Sequence, residues 1–386
     1  MQKRLSRRSE PLPDRPRGVR EKPPAHPTAR VEGSFASRLL SWWDVAGRKD
    51  LPWQRDPTPY RVWVSEIMLQ QTRASTVAPY FERFVLRFPD VHALARAELD
   101  EVLHLWSGLG YYARARNLHR AAGIVAREHG GVVPGSAEAV EALPGVGRST
   151  AAAVVAQGYG RRAAILDANV KRVLARRHRV AGPVSSSATL TELWRLAESH
   201  TPAERVADYT QAIMDLGATV CRRSRPRCGE CPVRVGCAAF EAGEPERYPE
   251  RAARRQRRLE RRRFFVVVDP NGACLVEQRP PRGLWGGLWS PPERDAGQSV
   301  DGFLDQSGIA ADLVDNVQAA GVFRHGFTHY DLDVEPVYVR LKARPAAVRE
   351  RSGRWIDPHD HRLGLSKVAA RLVGVTTLFD GPKPGR

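Results

Sequence analysis

The chain is poor in cysteine and methionine and has no long hydrophobic run. It contains five cysteines and three methionines among its 386 residues. No apolar stretch approaches the ~20 residues that a membrane-spanning helix needs. The opening residues, MQKRLSRRSEPLPDRPRG, are basic but lack the apolar core of a signal peptide. These absences argue against a membrane span and against secretion, so we expect a cytoplasmic protein.

Acidic residues are also scarce relative to basic ones. Lys and Arg total 61 against 43 Asp and Glu, which gives a formal charge of +18 and a pI near 10.3. A surplus of this size favours a polyanionic partner, and nucleic acid is the commonest one. An Arg-rich proteome would give the same surplus, so charge alone leaves the partner open. The length predicts two domains plus tails.

Composition divides the chain into four parts. Residues 1–33 are rich in Pro and charge and carry almost no large apolar side chains, so we expect a disordered extension. Residues 34–240 carry apolar residues at helical spacing and predict an all-α domain. Residues 241–263 form a polar, basic run that predicts a linker. Residues 264–379 contain short β-branched and aromatic runs between Gly and Pro, which predict an α+β domain.

Periodicity supports this division. Three sets of residues each fall on one helix face: Phe35, Leu39 and Trp43; Trp63, Ile67 and Gln71; Leu118, Ala122 and Val125. In the last third, the runs FFVVVD, ACLVEQ and EPVYVRLK predict strands. Cys274 lies in the second of these runs, where we expect a small buried hydrophobic residue.

The other four cysteines form a compact group. Cys221, Cys228, Cys231 and Cys237 have the spacing C-x6-C-x2-C-x5-C. In a cytoplasmic chain such a group predicts a metal site, because disulfides are disfavoured there. Zinc is an alternative, since the central C-x2-C pair has ordinary zinc spacing. A four-cysteine zinc site usually uses two such pairs, so single cysteines on either side of one pair favour a 4Fe-4S cluster.

The stretch LPGVGRSTAAAV, Leu143 to Val154, places a Gly-x-Gly turn between two helices. Gly145 and Gly147 permit positive φ, and exposed amides at the start of the second helix can hold a phosphate. The pattern predicts a helix-hairpin-helix, which grips a DNA backbone without reading its sequence. A plain helix-helix corner would look the same, so the residues that follow decide between the two.

Further along lies ILDANVKRVLAR, with Asp167 at the start of the next helix. A DNA grip followed at this distance by a lone carboxylate is the arrangement of the helix-hairpin-helix base-excision glycosylases. Residues 34–237, including the cysteine spacing, closely resemble the endonuclease III and MutY branch of that superfamily. The matching segments are LPW from Leu51, VWVSEIMLQQT from Val62 and GLGYYARARNL from Gly108.

The residue at position 149 separates the two kinds of enzyme in this branch. In endonuclease III relatives a lysine stands here, and its amine attacks the sugar C1′ to form a Schiff base. Ser149 cannot form one, so the resemblance implies a MutY-type, monofunctional glycosylase that uses water. One departure from the family pattern is Ala168, where a glycine is expected between Asp167 and Asn169.

Two carboxylates carry the expected chemistry. Breaking a purine N-glycosidic bond needs a proton on the leaving base and stabilisation of an oxocarbenium-like sugar. Glu66 lies among apolar neighbours that should raise its pKa, and this makes it the candidate acid for adenine N7. Asp167 should stay ionised at a helix start and stabilise the sugar. A buried acid paired with an Arg and an ordinary N-cap are the structural alternatives.

Several further residues are expected, by resemblance, to contact DNA or the flipped base. Gln71, Thr72, Leu109 and Tyr111 would occupy the duplex around the lesion, although Leu109 also suits plain helix packing. Trp53 would wall the adenine pocket or belong to the core. The remaining DNA-binding candidates are Gly145, Gly147, Ser149 and Asn169. The basic loop CRRSRPRC would point at phosphates.

The last domain resembles the Nudix-like domain of MutY proteins, through RGLWGGLWSPPE from Arg282 to Glu293. The signature of true Nudix hydrolases is missing, so we expect recognition without pyrophosphatase activity. The segment HGFTHYDLDVEP matches the lesion-reading loop of MutY proteins at Phe327, Thr328 and His329. Because 8-oxoguanine carries an N7–H donor, the Thr328 hydroxyl could accept from it. A strand-edge turn that merely packs is the alternative.

The sequence thus predicts a multidomain protein: an all-α helix-hairpin-helix glycosylase domain with a 4Fe-4S loop (residues 221–237), then an α+β Nudix-like domain. The expected activity is excision of adenine paired with 8-oxoguanine or guanine in double-stranded DNA, by a monomer. Two alternatives remain: an endonuclease III-like or mismatch thymine glycosylase, and a DNA-binding Fe-S or zinc module without activity.

Overall fold

The computed structural model describes residues 33–251, 257–281, 283–327, 330–345, 353–357 and 363–374. Within them a helical domain is followed by a mixed-sheet domain, as the sequence predicts. No helix in these ranges is both long and apolar enough to cross a membrane.

The first domain is all-α. Its helices are α1 (Phe35–Ala46), α2 (Pro59–Leu69), α3 (Ala74–Arg87), α4 (Val91–Arg96), α5 (Leu99–Leu105), α6 (Ala113–Glu128), α7 (Ala137–Glu141), α8 (Arg148–Tyr159), α9 (Ala168–His178), α10 (Ser187–His200), α11 (Val206–Asp215) and α12 (Ala238–Glu241).

The helical domain has two hydrophobic lobes that share α8. Helices α2 to α6 surround one core, and α1 with α9 to α11 surround the other. Helix α8 contributes Val154 and Val155 to the first core and Ala152 and Ala153 to the second. A Cβ at Gly158 of α8 would lie 2.9 Å from Cα of Pro59. The small residues of α8 therefore let it pack closely against both lobes.

The second domain is built on an eight-stranded sheet of the described residues, with one helix on each face. Its elements are β1 (Arg258–Val268), β2 (Cys274–Gln278), β3 (Trp289–Ser290), β4 (Glu293–Asp295), α13 (Val300–Ser307), β5 (Val314–Ala319), β6 (Phe323–Gly326), β7 (Tyr330–Leu341), β8 (Gly353–Ile356) and α14 (Lys367–Gly374).

The central pair of this sheet, β1 and β7, is parallel, and the other pairs are antiparallel. Successive side chains of β1 point to opposite faces, so Phe264 packs in the core with α14 and Phe265 packs against Phe303 of α13. Cys274 is fully buried in β2, which confirms the expectation for this cysteine.

The predicted linker, residues 241–263, is too long. Its last six residues belong to β1, where Arg258 to Arg263 lie opposite Tyr330 to Glu335 of β7. Carboxylates on adjacent strands neutralise this basic run: Arg263 pairs with Glu335 at 3.3 Å. The sequence predicts a polar linker here because the acidic residues that pair with these arginines lie far along the chain.

The second domain packs directly on the helical domain. Leu288, just before β3, is completely buried within the core of the first lobe. Trp289 Nε1 donates to the Asp100 carboxylate of α5 at 3.3 Å. A Cβ on Gly364 would lie only 2.6 Å from Cβ of Leu103. The two domains therefore share a packed contact in addition to their covalent connection.

Candidate active site and DNA-binding surfaces

Glu66 lies on α2, which faces α8. Thr58 caps the helix by accepting from Arg61 N, and Pro59 occupies the first turn, where its missing N–H costs nothing. Burial among the apolar residues of the first lobe and, to a smaller extent, the charge of Asp167 raise the pKa of Glu66 to about 7. A polar contact from Gln157 of α8 acts in the opposite direction. Glu66 thus holds a proton near neutral pH.

Asp167 is the N-cap of α9, and the buried residues of this helix pack in the second lobe. Its carboxylate accepts from Val170 N at 2.7 Å and from Asn169 Nδ2 at 3.1 Å. The pKa of Asp167 is raised above its usual value because the carboxyl group is buried. The two hydrogen bonds lower the pKa and so offset part of this increase, as a position at a helix start also would. The cap interpretation and the catalytic one are compatible, because one carboxylate oxygen bonds the helix amide and the other faces Asn169.

Asn169 is itself held in place. Its Oδ1 accepts from Arg172 Nη2 at 2.8 Å, and Arg172 also donates to the backbone oxygen of Gly217 at 2.7 Å. A Cβ at Gly217 would lie 2.5 Å from Cβ of Asn169, so the chain passes very close here. The Asp167 carboxylate, which accepts from Asn169, therefore rests on a firmly packed base.

The hairpin between α7 and α8 has the predicted form, but its two glycines differ. Gly145 has φ of +79°, and a Cβ there would lie 2.6 Å from Cβ of Asn117. Gly147 caps α8 at φ −105° with open space where a Cβ would be. The expectation of positive φ is therefore right for Gly145 and wrong for Gly147. At Gly147 the missing side chain exposes the first amides of α8.

Ser149 lies in the first turn of α8 and contacts the segment that connects α8 to Asp167. Its Oγ accepts from Leu166 N at 3.0 Å. The hydroxyl is thus engaged in holding the backbone next to the second carboxylate. Through Ser149, the start of α8 is connected with the backbone just before Asp167.

A cavity is lined by Gln157, the α8 residue whose side chain contacts Glu66. Its lining comprises Trp43, Lys49, Trp53, Gln54, Pro57, Gln157, Ala207, Asp208 and Gln211. Trp53 is 4% exposed and packs edge-on against Phe81, so it belongs to the core on one side and lines the cavity on the other. Both interpretations of Trp53 from the sequence are therefore compatible with its position.

Gln211 and Asp215, on α11, were missed by the sequence analysis. Asp215 is completely buried and accepts from Gln211 Nε2 at 2.9 Å, from Trp43 Nε1 at 3.3 Å and from the Arg48 guanidinium. A carboxylate can only accept, so the Gln211 amide must turn its NH2 toward Asp215. The signal in the sequence is weak: the two residues are spaced i, i+4, but the helix also carries Asp208 and Thr210.

Two residues expected in the duplex have unusual backbone conformations. Gln71 has φ of +58° and Tyr111 has φ of +50°, the left-handed region that side chains other than glycine rarely adopt. Gln71 is exposed and Tyr111 is 46% exposed. Helix α2 ends at Leu69, so the prediction that Gln71 continues its apolar face is wrong. Strained, exposed residues of this kind concentrate at functional sites.

One buried arginine joins these two segments. The Arg114 guanidinium donates to the backbone oxygens of Met68 and Gln70 at 2.6 Å and of Gly110 at 3.0 Å. It also donates to the Thr72 hydroxyl at 3.1 Å. The end of α2 and the loop before α6 are therefore held as a unit.

Leu109 lies in the same loop but is only 6% exposed and packs in the first core. Of the four residues expected in the duplex, Leu109 is the one that the free protein keeps buried.

Phe327 follows β6 in the hairpin between β6 and β7. Its ring stacks on Tyr330 with centroids 4.7 Å apart and also contacts His325 and Trp285. Phe327 N donates to Tyr330 O at 2.9 Å and closes the turn. Thr328 and His329, the other two residues of the expected lesion-reading loop, lie outside the described residues. The contacts with Trp285, His325 and Tyr330 nevertheless hold Phe327, the described residue that precedes these two, in place.

The four cysteines of residues 221–237 line one cavity together with Arg176 and Arg177. Arg176 Nη1 donates to Cys221 Sγ at 3.3 Å. Burial raises the pKa of Cys231 to about 12 and also raises the pKa of Cys228. Buried thiols at this position are therefore costly to ionise unless a cationic group lies among them.

The donor set of this cavity suits an iron-sulfur cluster. It offers four soft sulfur ligands together with the buried guanidinium of Arg176 and the half-buried one of Arg177. Within the described ranges, however, no three His, Cys, Asp or Glu residues are close enough together to hold a single metal ion. The cysteines thus surround a cavity without forming a closed ligand set.

Comparison with known families assigns both domains. Residues 64–199 match the family described as HhH-GPD superfamily base excision DNA repair protein, and residues 263–373 match the NUDIX domain. A curated adenine DNA glycosylase of Buchnera aphidicola from Schizaphis graminum is 34% identical over 344 residues, with 88% of this chain and 98% of that protein covered. The human adenine DNA glycosylase is 32% identical over 91% of this chain and 75% of its own length.

Among solved structures, a thermostable thymine-DNA glycosylase is 30% identical, with a TM-score of 0.48. The match covers 54% of this chain and 95% of that one.

The raised pKa of Glu66 predicts a pH-dependent cost to stability. The folded protein holds this proton up to about pH 7 while the unfolded chain releases it near pH 4.5, so stability falls as pH rises through that window. Glu66→Gln removes the cost. Its Tm should exceed that of the parent above pH 7, by about 2–4 °C per kcal/mol relieved, and match it near pH 4.

The control for this measurement is Glu82→Gln, on the exposed side of α3. It should leave the difference in Tm flat across the same pH range. A flat difference for Glu66→Gln as well would contradict the raised pKa.

Proposed function

The chain belongs to the adenine DNA glycosylases, the MutY-type enzymes of base excision repair, and from this premise we propose that it excises adenine paired with 8-oxoguanine. The observation that carries the proposal is that the charge of Asp167 acts on Glu66, and that Glu66 contacts Gln157, which lines a cavity. The pKa of Glu66 is raised to about 7, and Asp167 is held by hydrogen-bond donors that favour its ionised form.

Glu66 acts as the general acid. Its proton passes to N7 of the flipped adenine, which lets the base accept the electron pair of the breaking N9–C1′ bond. The Glu66 carboxylate left behind then takes a proton from the water that attacks C1′. The products are free adenine and an abasic sugar, and Glu66 regains its starting protonation state.

Asp167 stabilises the cationic sugar between these two steps. Its position favours this role, since Asn169 and the α9 amides fix the carboxylate and compete with protonation. The negative charge of Asp167 also keeps the proton on Glu66 by raising its pKa. Asp167 therefore supports the protonated state that Glu66 requires as the acid.

The cavity lined by Gln157 receives the adenine. Trp53 supplies a flat apolar wall for the base. Gln211, whose NH2 is held by Asp215, is left with its Oε1 for donors, and the exocyclic amine of adenine is such a donor. Thymine presents a carbonyl oxygen at the corresponding edge. This arrangement favours adenine over the thymine alternative.

The surfaces around the cavity suit duplex DNA. The N-terminus of α8 at Gly145 and Gly147 grips one phosphate, and the exposed basic loop at Arg222, Arg223 and Arg225 faces others. Gln71, Thr72, Leu109 and Tyr111 enter the duplex around the extruded base, with Leu109 moving out of its packed position to do so. Ser149, which offers no amine, leaves the enzyme without a Schiff-base route to strand cleavage.

The C-terminal domain reads the base opposite adenine. Phe327 is presented at a hairpin by three aromatic neighbours, and a ring held in this way can wedge beside a base. Thr328 and His329 complete the reader by resemblance, with the Thr328 hydroxyl accepting from the N7–H of 8-oxoguanine.

Cys221, Cys228, Cys231 and Cys237 hold the 4Fe-4S cluster that enzymes of this type usually carry. The cluster supplies a rigid, compact centre for the basic loop. Arg176 supports it, since one guanidinium donates to Cys221 Sγ and to the backbone oxygen of Arg222.

The test of this function is single-turnover excision on duplexes with A:8-oxoguanine, A:G, A:C and T:G pairs. Adenine release should be fastest opposite 8-oxoguanine, without strand cleavage at the abasic site. Glu66→Gln should lower the rate by about 10²- to 10⁴-fold, because it removes the proton and keeps the shape, while DNA affinity stays near normal. Thymine release from T:G, or near-normal rates for Glu66→Gln, would contradict the assignment.

The cluster is tested by metal content. Anaerobically purified protein should be yellow-brown with about four irons per chain. Cys228→Ala should lose the colour and most of the iron, whereas Cys274→Ala, which changes the buried fifth cysteine, should keep both. Colourless protein with stoichiometric zinc would establish the zinc alternative.

The lesion reader is tested by selectivity. Replacing Phe327 and His329 by Ala should lower the ratio of excision rates for A:8-oxoguanine over A:G by about tenfold to a hundredfold, the worth of one or two such contacts. The rate on A:G should change little. If the ratio is unaltered while fold and iron content are intact, the loop is structural.

A further inference from the structure

A buried tyrosine hydroxyl joins the two domains at the loop that enters the duplex. Tyr112, the N-cap of α6, is 6% exposed. Its Oη donates to the backbone oxygen of Leu365 in the C-terminal domain at 3.0 Å. The same Oη accepts from Gly108 N at 3.2 Å. One hydroxyl therefore connects the C-terminal domain to the first residue of the loop Gly108–Tyr111.

A second contact lies one helical turn further along α6. The Arg116 guanidinium donates to the backbone oxygen of Gly286, and its Cδ would lie 3.6 Å from a Cβ on Gly287. Residues four apart on a helix share a face, so the C-terminal domain holds the first turn of α6 at two points. Leu288 follows Gly286 and Gly287 and is buried in the first core, which also holds this segment against the helical domain.

The same segment of the C-terminal domain supports Phe327. Trp285, next to Gly286, packs on Phe327 with centroids 5.3 Å apart. Leu365 lies in the other segment that contacts α6, and it pairs with Trp289 as an isolated bridge. Trp289 and Leu365 belong to one core of the C-terminal domain, Trp285 and Phe327 pack against that core, and the Leu365 carbonyl accepts from Tyr112.

We propose that the Tyr112 hydroxyl is the positioning group through which the C-terminal domain sets the loop Gly108–Tyr111 for entry into the duplex. The proposal rests on the proposed function, in which that loop and Phe327 act on the same mispair from two sides. Tyr111 immediately precedes Tyr112 and has a strained backbone, so its conformation depends on neighbours that restrain it. Tyr112 touches neither the base nor the reacting atoms.

The variant Tyr112→Phe removes this one oxygen and leaves Gly108 N–H and Leu365 C=O without their partner. The ratio of single-turnover rates for A:8-oxoguanine over A:G should fall about threefold to tenfold, the usual worth of one buried hydrogen bond. Backbone amides of Gly108–Tyr111 should exchange with deuterium several-fold faster in the free, cluster-containing protein.

Tyr60→Phe is the matched control. The Tyr60 hydroxyl is equally buried and donates to a backbone oxygen, that of Phe88, but the bond lies within the helical domain. Tyr60→Phe should lower Tm about as much as Tyr112→Phe and change neither the selectivity ratio nor exchange of the loop. A loss of stability alone would therefore not imitate the expected result.

A double variant tests whether Tyr112 and Phe327 act together. If they do, adding Tyr112→Phe to Phe327→Ala should lower the selectivity ratio no further than Phe327→Ala alone. Independent, multiplying effects would overturn the proposal, as would unchanged loop exchange in Tyr112→Phe. A parent enzyme with no preference for 8-oxoguanine would contradict the proposed function, and the exchange result would still decide whether the hydroxyl sets the loop.

Discussion

The packing of α8 between the two lobes is the constraint on which the rest of the molecule depends. This helix is buried on nearly all sides, and its alanines and Gly158 allow an approach that larger residues would prevent. Its N-terminus carries the proposed phosphate site, Ser149 accepts from the backbone before Asp167, and Gln157 contacts Glu66 and lines the cavity. A shift of α8 would move the DNA grip and both carboxyl groups at once.

The arginines of this protein fall into two groups, those that hydrogen-bond within the fold and those that are exposed on its surface. Arg48, Arg114 and Arg176 are partly or wholly buried, and each donates to a carboxylate, to backbone oxygens or to a cysteine sulfur. Such residues stabilise loops that have little regular secondary structure of their own. Others, such as Arg222 and Arg223, have exposed side chains on the basic loop. The large formal charge is therefore only partly available to the DNA backbone.

The contact between the domains changes how lesion recognition should be understood. A reader on a flexible tether would contribute affinity through its effective concentration alone. Here Leu288 lies inside the helical core, and Trp289 bonds to α5. The proposed recognition of the opposite base and the proposed entry of the loop into the duplex would consequently depend on one packed contact between the domains.

The sequence by itself determined the elements and the chemistry of their residues. Helical spacing, the Gly-x-Gly turn, the cysteine spacing and the β-branched runs are local signals, since each depends on neighbours within a few residues. They suffice for the all-α and mixed-sheet domains, whereas the family came from the resemblance of whole motifs. Resemblance supplied Glu66 and Asp167, whose roles in this chain remain proposals.

Only the tertiary structure decided which distant groups meet. The linker prediction failed at Arg258–Arg263 because the neutralising carboxylates stand on other strands. Gln211 was missed because its orientation comes from buried Asp215, and Tyr112 because its partner, Leu365, is far along the chain. Burial and hydrogen bonding between distant residues depend on how the elements pack, which local sequence patterns do not encode.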